Sequence, residues 1–192
     1  MKTIMKIAAL TAAVASLSAC HTHTNPQTDF MAKLNALCGQ SFEGKVVTTD
    51  KADSGFASER LVMHVKECST ERMAIPFNVG ENRSRTWLIT KTDNGLRLKH
   101  DHRHEDGSHD EVTMYGGDTE TLGSANKQSF PVDQFSIDMF NKTGLTASVT
   151  NVWHVHIDDN TFSYQLTREN RNFKVDFDLS QPVATPAASW GH

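Results

Sequence analysis

The amino-acid sequence predicts an all-β protein, an antiparallel barrel of about nine strands with a short N-terminal helix and one short helix near 132–141. Short runs of alternating apolar and polar residues are the first indication, and they are clearest at 148–157, 162–168 and 172–179. Turn-forming residues between the runs, such as Asp106-Gly107, are the second. Because hairpins outnumber long crossovers, a barrel is favoured over a sandwich.

The remaining elements follow from the same patterns. An amphipathic helix is predicted at 29–37, ending near Gly39, and the second helix follows Pro131. Gly116-Gly117-Asp118 is assigned to a turn. The other predicted strands lie at 41–48, 60–66, 72–79, 85–90, 96–104 and 109–115.

Residues 1–19 have the features of a signal peptide, with two early lysines and an apolar run too short to span a bilayer. The ending Leu17-Ser18-Ala19-Cys20 resembles the lipobox of bacterial lipoproteins. That resemblance implies cleavage before Cys20, a lipid on its new N-terminus and, with His21 following, an outer-membrane lipoprotein facing the periplasm. An ordinary secretory signal is the alternative. We therefore expect a tether at 20–28, one barrel domain at 29–181 and a flexible tail at 182–192.

Charge and cysteine content narrow the partners and the compartment. The formal charge of −4 becomes −6 once the two lysines of the leader are removed, which disfavours nucleic acid and anionic lipid surfaces as partners. Membrane contact is therefore expected only through the N-terminal lipid. Cys38 and Cys68 form an even pair in an exported chain, which predicts a disulfide. A reactive thiol or a thiolate ligand is the alternative, although no C-x-x-C spacing supports it.

Four of the ten histidines lie between Leu96 and Tyr115, in a predicted hairpin. Asp-Gly between two alternating runs predicts a two-residue type I′ turn, with Arg103 opposite Asp110 on one face. The apolar residues of the first strand share the histidine face, so we expect that face to turn into the barrel. The predicted cross-strand pairs are His104 with His109, His102 with Glu111, and His100 with Thr113.

This histidine face predicts a binding site. Three imidazoles and a carboxylate, from His102, His104, His109 and Glu111, suit zinc or another divalent metal. A solvated polar face and acid–base catalysis are the alternatives.

Other candidate ligand-binding groups flank the histidines. His100 and Tyr115 are the polar groups expected in a ligand pocket, and Arg83 and Arg85 are candidates to clamp an anionic ligand, unless they are simply exposed. His154 and His156 are expected to face outward.

Two resemblances add to this interpretation. The predicted helix leading into Gly39-x-x-Phe42-x-Gly44 resembles the entry to lipocalin-like (calycin) barrels, in which a helix plugs one end. The strings at 75–77, 84–87, 98–108 and 112–118 together resemble a family of uncharacterised secreted bacterial lipoproteins over residues 38–180. This second resemblance implies an exported single domain and carries no activity with it.

No recognised enzyme signature is present: the sequence lacks Gly-x-Ser-x-Gly, His-Glu-x-x-His and a phosphate-binding glycine-rich loop. The leading expectation is a non-enzymatic, lipid-anchored envelope protein that binds a small ligand or a divalent metal on the histidine face. A metal-dependent hydrolase using the same histidines, and a structural or interaction lipoprotein without a ligand site, are the alternatives.

Overall fold

A computed structural model describes residues 25–191, so the predicted signal peptide and Cys20 lie outside the described residues. The helices are α1 (Pro26–Ala36), α2 (Ser54–Ala57) and α3 (Gln134–Lys142). The strands are β1 (Ser41–Val46), β2 (Leu61–His64), β3 (Glu67–Cys68), β4 (Arg72–Val79), β5 (Asn82–Thr92), β6 (Gly95–His102), β7 (Tyr115–Asp118), β8 (Lys127–Pro131), β9 (Val152–Ile157), β10 (Thr161–Arg168) and β11 (Arg171–Pro182).

Ten strands form one antiparallel sheet that curls into a nearly closed barrel. Their order is β7-β6-β5-β4-β2-β1-β11-β10-β9-β8, and β3 pairs with β4. The two end strands meet at a seam, where the Asp133 N–H donates to the Gly116 carbonyl over 2.9 Å. A Cβ built on Gly117 would lie 1.6 Å from the Pro131 carbonyl oxygen, so glycine is needed for this approach. The predicted all-β antiparallel barrel is confirmed.

The interior follows the two-residue period of the strands. On β9, Trp153, Val155 and Ile157 are buried, whereas His154 and His156 point outward. The inward residues of the other strands continue this apolar core, which includes Phe42, Met63, Ile75, Trp87, Leu98, Phe162, Val175 and Phe177.

Helix α1 closes one end of the barrel. Phe30 and Leu34 are fully buried in the core, and the Asn25 side chain caps the helix by accepting from the Gln27 N–H. The helix begins at Pro26, earlier than predicted, because proline suits the first helical position. The predicted disulfide is confirmed, since Cys38 and Cys68 are bonded and join the end of α1 to β3.

Three predictions at the seam were wrong. Strand β8 was missed, and the strand expected at 109–115 is present only from Tyr115, because residues 110–114 form a loop. Gly116-Gly117-Asp118 belongs to strand β7 rather than to a turn. In a sheet, glycine often marks a close backbone approach, which is its role at this seam.

The end of the chain lies on the outer surface of the barrel. Strand β11 runs to Pro182, and residues 183–191 then cross β4 and β5. Arg83 holds this segment at two points: its Nη1 donates to the Ala188 carbonyl over 2.9 Å, and its own carbonyl accepts from the Trp190 N–H over 3.0 Å. No helix within residues 25–191 has the length and apolar character needed to cross a membrane.

Candidate functional site

A cavity of about 300 Å³ opens at the end of the barrel opposite α1. We call it the cup. Aromatic rings form its floor and charged side chains surround its mouth, because the strand ends here leave the apolar core and approach solvent. The floor includes Trp87, Tyr115, Trp153 and Tyr164, and the mouth includes Arg85, His102, Asp110, Arg168 and Arg171.

The aromatic floor contains a stack of rings. The rings of Trp87 and Tyr164 are stacked with centroids 4.5 Å apart and planes 14° apart. Phe77 stacks on the same indole at 4.7 Å. These residues occupy inward positions of β5, β10 and β4, so the fold itself sets their spacing. The stack gives the cup a rigid apolar wall, which suits contact with an apolar group.

His100 belongs to the floor, which confirms that this part of the histidine face turns inward. Its Nδ1 lies 3.1 Å from the Tyr115 carbonyl oxygen and must donate to it, so Nε2 accepts from the Tyr164 hydroxyl over 2.7 Å. Burial, reinforced by the neighbouring His102, lowers the pKa of His100 to about 3. The ring is therefore neutral at physiological pH and fixed in one tautomer.

His102 and Tyr115 form a second polar pair, closer to the mouth. The Tyr115 hydroxyl lies 3.1 Å from Nε2 of His102. Burial, followed by the positive charge of Arg85, lowers the pKa of His102 to about 4, and burial raises the pKa of Tyr115 to about 12. Both groups are neutral at pH 7 and are suited to hydrogen bonding rather than to proton transfer.

The tip of the histidine hairpin differs from the prediction. The reversal at Asp106-Gly107 exists, but the loop has three residues: Gly107 N–H donates to the His104 carbonyl over 3.0 Å, and His104 N–H donates to the Ser108 carbonyl over 2.8 Å. Gly107 has φ +86°, whereas Asp106 is not left-handed, so the type I′ turn was wrong. A type I turn followed by a left-handed glycine is the next most common hairpin.

The changed loop alters the pairing. Arg103 bridges His109, and His100 lies opposite Tyr115, so the predicted pairs of His104 with His109 and of His100 with Thr113 were wrong. Arg103 forms its ion pair with Asp101 at 3.1 Å rather than with Asp110. Residues 110–114 leave the sheet, which breaks the alternation on which the predicted face depended.

The four predicted metal ligands end in different environments. His102 lines the cup, whereas His104, His109 and Glu111 are exposed beyond it. His109 Nδ1 lies 3.4 Å from a carboxylate oxygen of Asp101. Within residues 25–191, no group of three or more histidine, cysteine, aspartate or glutamate side chains is placed to hold a metal ion.

Arg85 and Arg83 separate. A bulge in β5 sets two residues, 83 and 84, against one residue of β4, so Arg83 reaches the C-terminal segment while Arg85 enters the cup. The Arg85 guanidinium lies 5.5 Å from the Phe56 ring centroid and donates to the Asn82 side chain over 3.0 Å. Burial lowers the pKa of Arg85 from its ordinary value. Among the ion pairs of residues 25–191, none includes Arg85.

Sequence reasoning missed two further arginines of the mouth. Arg168 donates to the Asn151 side chain over 3.1 Å. Arg171 pairs with Asp53, whose carboxylate is almost fully buried, and also with Asp50 at 3.3 Å. No local pattern predicts the contact between Arg171 and Asp53, because 118 residues separate them in the chain.

The ion pair between Arg171 and Asp53 anchors a short segment beside the cup. Residues 50–57, which we call the lid, contain α2 and place the Phe56 ring 5.1 Å from that of Phe173. The Arg171 guanidinium also lies over Phe173, at 5.6 Å. The lid therefore contributes Phe56 to the wall of the cup and is anchored through Asp53.

Fold and site together define a class, an antiparallel β-barrel with a ligand-sized cavity that has an aromatic floor and a cationic mouth. No protein-family model, curated protein or solved structure matches the chain significantly. A relationship to lipocalin-like barrels or to secreted bacterial lipoproteins therefore stays a prediction from the sequence.

Proposed function

We propose that this protein is a non-enzymatic binding protein whose cup takes a small organic anion with an apolar body. One observation carries the proposal: Arg85 is a largely buried cation, set among aromatic rings, and has no carboxylate partner among the ion pairs of the described residues. A cation in this position is costly to bury unless an anion joins it.

The shape and chemistry of the cup agree with this class of ligand. A volume of about 300 Å³ is at the lower end of small-ligand cavities, which suits a compact aromatic molecule. An arginine presents parallel N–H donors that match the two oxygens of a carboxylate or the oxygens of a sulfonate. Arg168 adds a second positive charge at the mouth.

The polar groups of the floor support binding more than catalysis. His100 is committed at both ring nitrogens, and its depressed pKa keeps it neutral. His102 is likewise neutral at pH 7 and lies beside the Tyr115 hydroxyl. His100 therefore holds the floor in place, whereas the His102 ring and the Tyr115 hydroxyl can turn hydrogen bonds toward a ligand, which gives specificity.

We further propose that the chain is anchored in the outer membrane through a lipid on Cys20, with the barrel in the periplasm. The described chain begins at Asn25, at the barrel end closed by α1. A lipid shortly before that point would place the closed end toward the membrane and the cup away from it. Ligand would then enter directly from the aqueous compartment.

Two related fluorescent probes test the binding proposal. We expect 1-anilinonaphthalene-8-sulfonate, an aromatic anion, to bind more tightly than its uncharged counterpart N-phenyl-1-naphthylamine. Arg85→Gln should weaken binding of the anion roughly 10–100-fold, since a charge-assisted hydrogen bond is lost, and should leave the uncharged probe nearly unaffected. Arg72→Gln, on the exposed start of β4, is the matched control. The proposal would be refuted if Arg85→Gln bound the anionic probe as tightly as the wild-type protein does.

Elemental analysis addresses the metal alternative. The domain is purified without chelator, loaded with zinc and compared with a His102→Ala, His104→Ala double variant. Stoichiometric zinc that disappears in the double variant would favour the predicted metal site and would reopen the hydrolase alternative. If both proteins contain the same amount of zinc, the histidines do not form a metal site, and an organic anion stays the proposed ligand of the cup.

A further inference from the structure

The second pair of histidines, His154 and His156, lies on the outer face of the barrel beside a separate depression of about 280 Å³. It is formed where β8, β9, β10 and β11 run side by side, on the opposite face of the sheet from the cup. We call it the outer depression. Its lining residues are Lys127, His154, His156, Ser163, Gln165 and Lys174.

Strand register explains how these side chains come together. Lys127 of β8 lies opposite His156, and His156 lies opposite Ser163 of β10. Gln165 is flanked in the same way by His154 and by Lys174 of β11. Lys127 and Lys174 therefore lie on either side of β9 and β10. Three strand spacings separate them, so their Cα atoms are roughly 15 Å apart. Their long side chains can reach toward one small group between them.

The walls of the outer depression are held by hydrogen bonds. His154 is engaged at both ring nitrogens, by Ser129 at 2.8 Å and Thr167 at 2.9 Å. Gln165 donates to Asn172 over 2.8 Å. These contacts fix the side chains in place before any ligand arrives, which lowers the entropy cost of binding.

The floor carries an unused polar group. Ser163 is 2% exposed, and its hydroxyl has no hydrogen-bond partner within residues 25–191. Buried hydroxyls are normally paired, so an unpaired one that lines a depression indicates a missing acceptor or donor. An anion seated there would accept this hydrogen bond.

The charges favour an anion. The lining contains two ammonium groups and no carboxylate. Asp176, which lies opposite Ser163, pairs with Lys174 at 2.8 Å, and Asp158 pairs with His156 at 3.1 Å. An incoming anion would therefore share Lys174 with Asp176. Lys127 takes part in none of the ion pairs of the described residues. Burial and the charge of Lys127 together lower the pKa of His154, which is consistent with a positive field over the depression.

We propose that the outer depression binds a phosphate or sulfate group. A tetrahedral oxyanion presents oxygens in several directions, so it can accept from the Ser163 hydroxyl below and from the Lys127 and Lys174 ammonium groups at the sides. A planar carboxylate meets fewer of these donors at once. The same group can arrive as free phosphate or as the headgroup of an anionic lipid, and the experiment separates these sources.

The test is a titration of the described domain with sodium phosphate, followed by NMR shifts of the His156 ring and the Ser163 amide. We expect saturable shifts with millimolar affinity, weakened at least about fivefold by Lys127→Ala and by Ser163→Ala. Ser163→Ala removes only a hydroxyl without partners, so it should leave the unfolding midpoint unchanged or higher. Lys66→Ala, an exposed lysine elsewhere, is the matched control.

Sedimentation with vesicles of phosphatidylcholine containing phosphatidylglycerol supplies the second arm. Binding to these vesicles that Lys127→Ala abolishes identifies a lipid headgroup as the source, and phosphate binding without vesicle binding identifies a free oxyanion. The proposal is overturned if the shifts do not saturate. It is also overturned if Lys66→Ala lowers the phosphate affinity as much as Lys127→Ala does.

Discussion

His100 and Tyr164 join two opposite walls of the barrel through one hydrogen bond. The Tyr164 hydroxyl of β10 donates to Nε2 of His100 on β6 over 2.7 Å, and both side chains are buried. Because Nδ1 of the same ring donates to the Tyr115 carbonyl, the bond also ties in β7 at the seam. The imidazole thus links three strands, and it can do so only while it is neutral.

Acid should therefore destabilise the barrel through His100. The pKa of its ring is about 3 in the folded protein and 6.5 in the unfolded chain, which therefore binds the proton first as pH falls. The stability from the neutral ring is complete above about pH 6.5 and is lost progressively toward pH 3. Between about pH 7 and about pH 5 we expect a loss of about 2 kcal/mol from this residue, measured by urea unfolding.

His100→Gln separates this effect from general acid destabilisation. The glutamine amide offers one acceptor and one donor, as the neutral ring does, but does not titrate. The variant should recover most of that loss of about 2 kcal/mol on acidification, although it is less stable than wild type at neutral pH. His104→Gln, at the exposed hairpin tip, is the control. An unchanged pH dependence in His100→Gln would contradict the role assigned to this ring.

The ion pair that anchors the lid should oppose ligand binding. Asp53→Asn removes a buried negative charge from Arg171 and leaves that guanidinium without its main partner. We expect unfolding to become easier by roughly 2–4 kcal/mol, because a mostly buried pair is broken. Binding of the anionic probe to the cup should become several-fold tighter, because Arg171 is then available.

Asp50→Asn is the matched control for the lid. Asp50 contacts the same guanidinium at 3.3 Å but is more exposed, so the loss of stability should stay below about 1 kcal/mol. Fluorescence titration and urea unfolding of both variants give the comparison. Equal effects from the two substitutions would argue against Asp53 as the anchor.

Closure of the barrel should depend on Gly117. An added methyl group would overlap the Pro131 carbonyl oxygen, which is backbone and cannot move without separating β7 from β8. Gly117→Ala should cost about 3 kcal/mol or more and increase amide exchange along both strands. Gly55→Ala is the control, since nothing lies within 4 Å of the new methyl group and its φ is not left-handed. That variant should be neutral or slightly more stable.

Loss of the disulfide should destabilise the barrel end closed by α1 and leave ligand binding in the cup unchanged. The Cys38 to Cys68 bond closes a loop of 30 residues, so a Cys38→Ser, Cys68→Ser double variant should lose about 3–4 kcal/mol in the chain-entropy account. Amide exchange should rise first in α1, which the bond ties to the sheet. Probe affinity at the cup, measured where the variant is fully folded, should be unchanged. A loss of affinity comparable to that of Arg85→Gln would contradict this separation.

The sequence by itself determined the features that depend on local patterns. The alternation of Trp153, Val155 and Ile157 placed β9 and its outward histidines correctly, because side-chain direction in a strand follows position. The inward position of His100 was predicted in the same way, and the disulfide from an even pair of cysteines in an exported chain.

Tertiary structure decided the rest, since it depends on contacts that no window of sequence contains. The register of the histidine hairpin was set by its three-residue loop and by the departure of residues 110–114 from the sheet, not by the alternating pattern. A bulge in β5 separated Arg83 from Arg85. The cup itself exists because Arg171 meets Asp53 and β7 meets β8, pairs brought together only when the sheet curls.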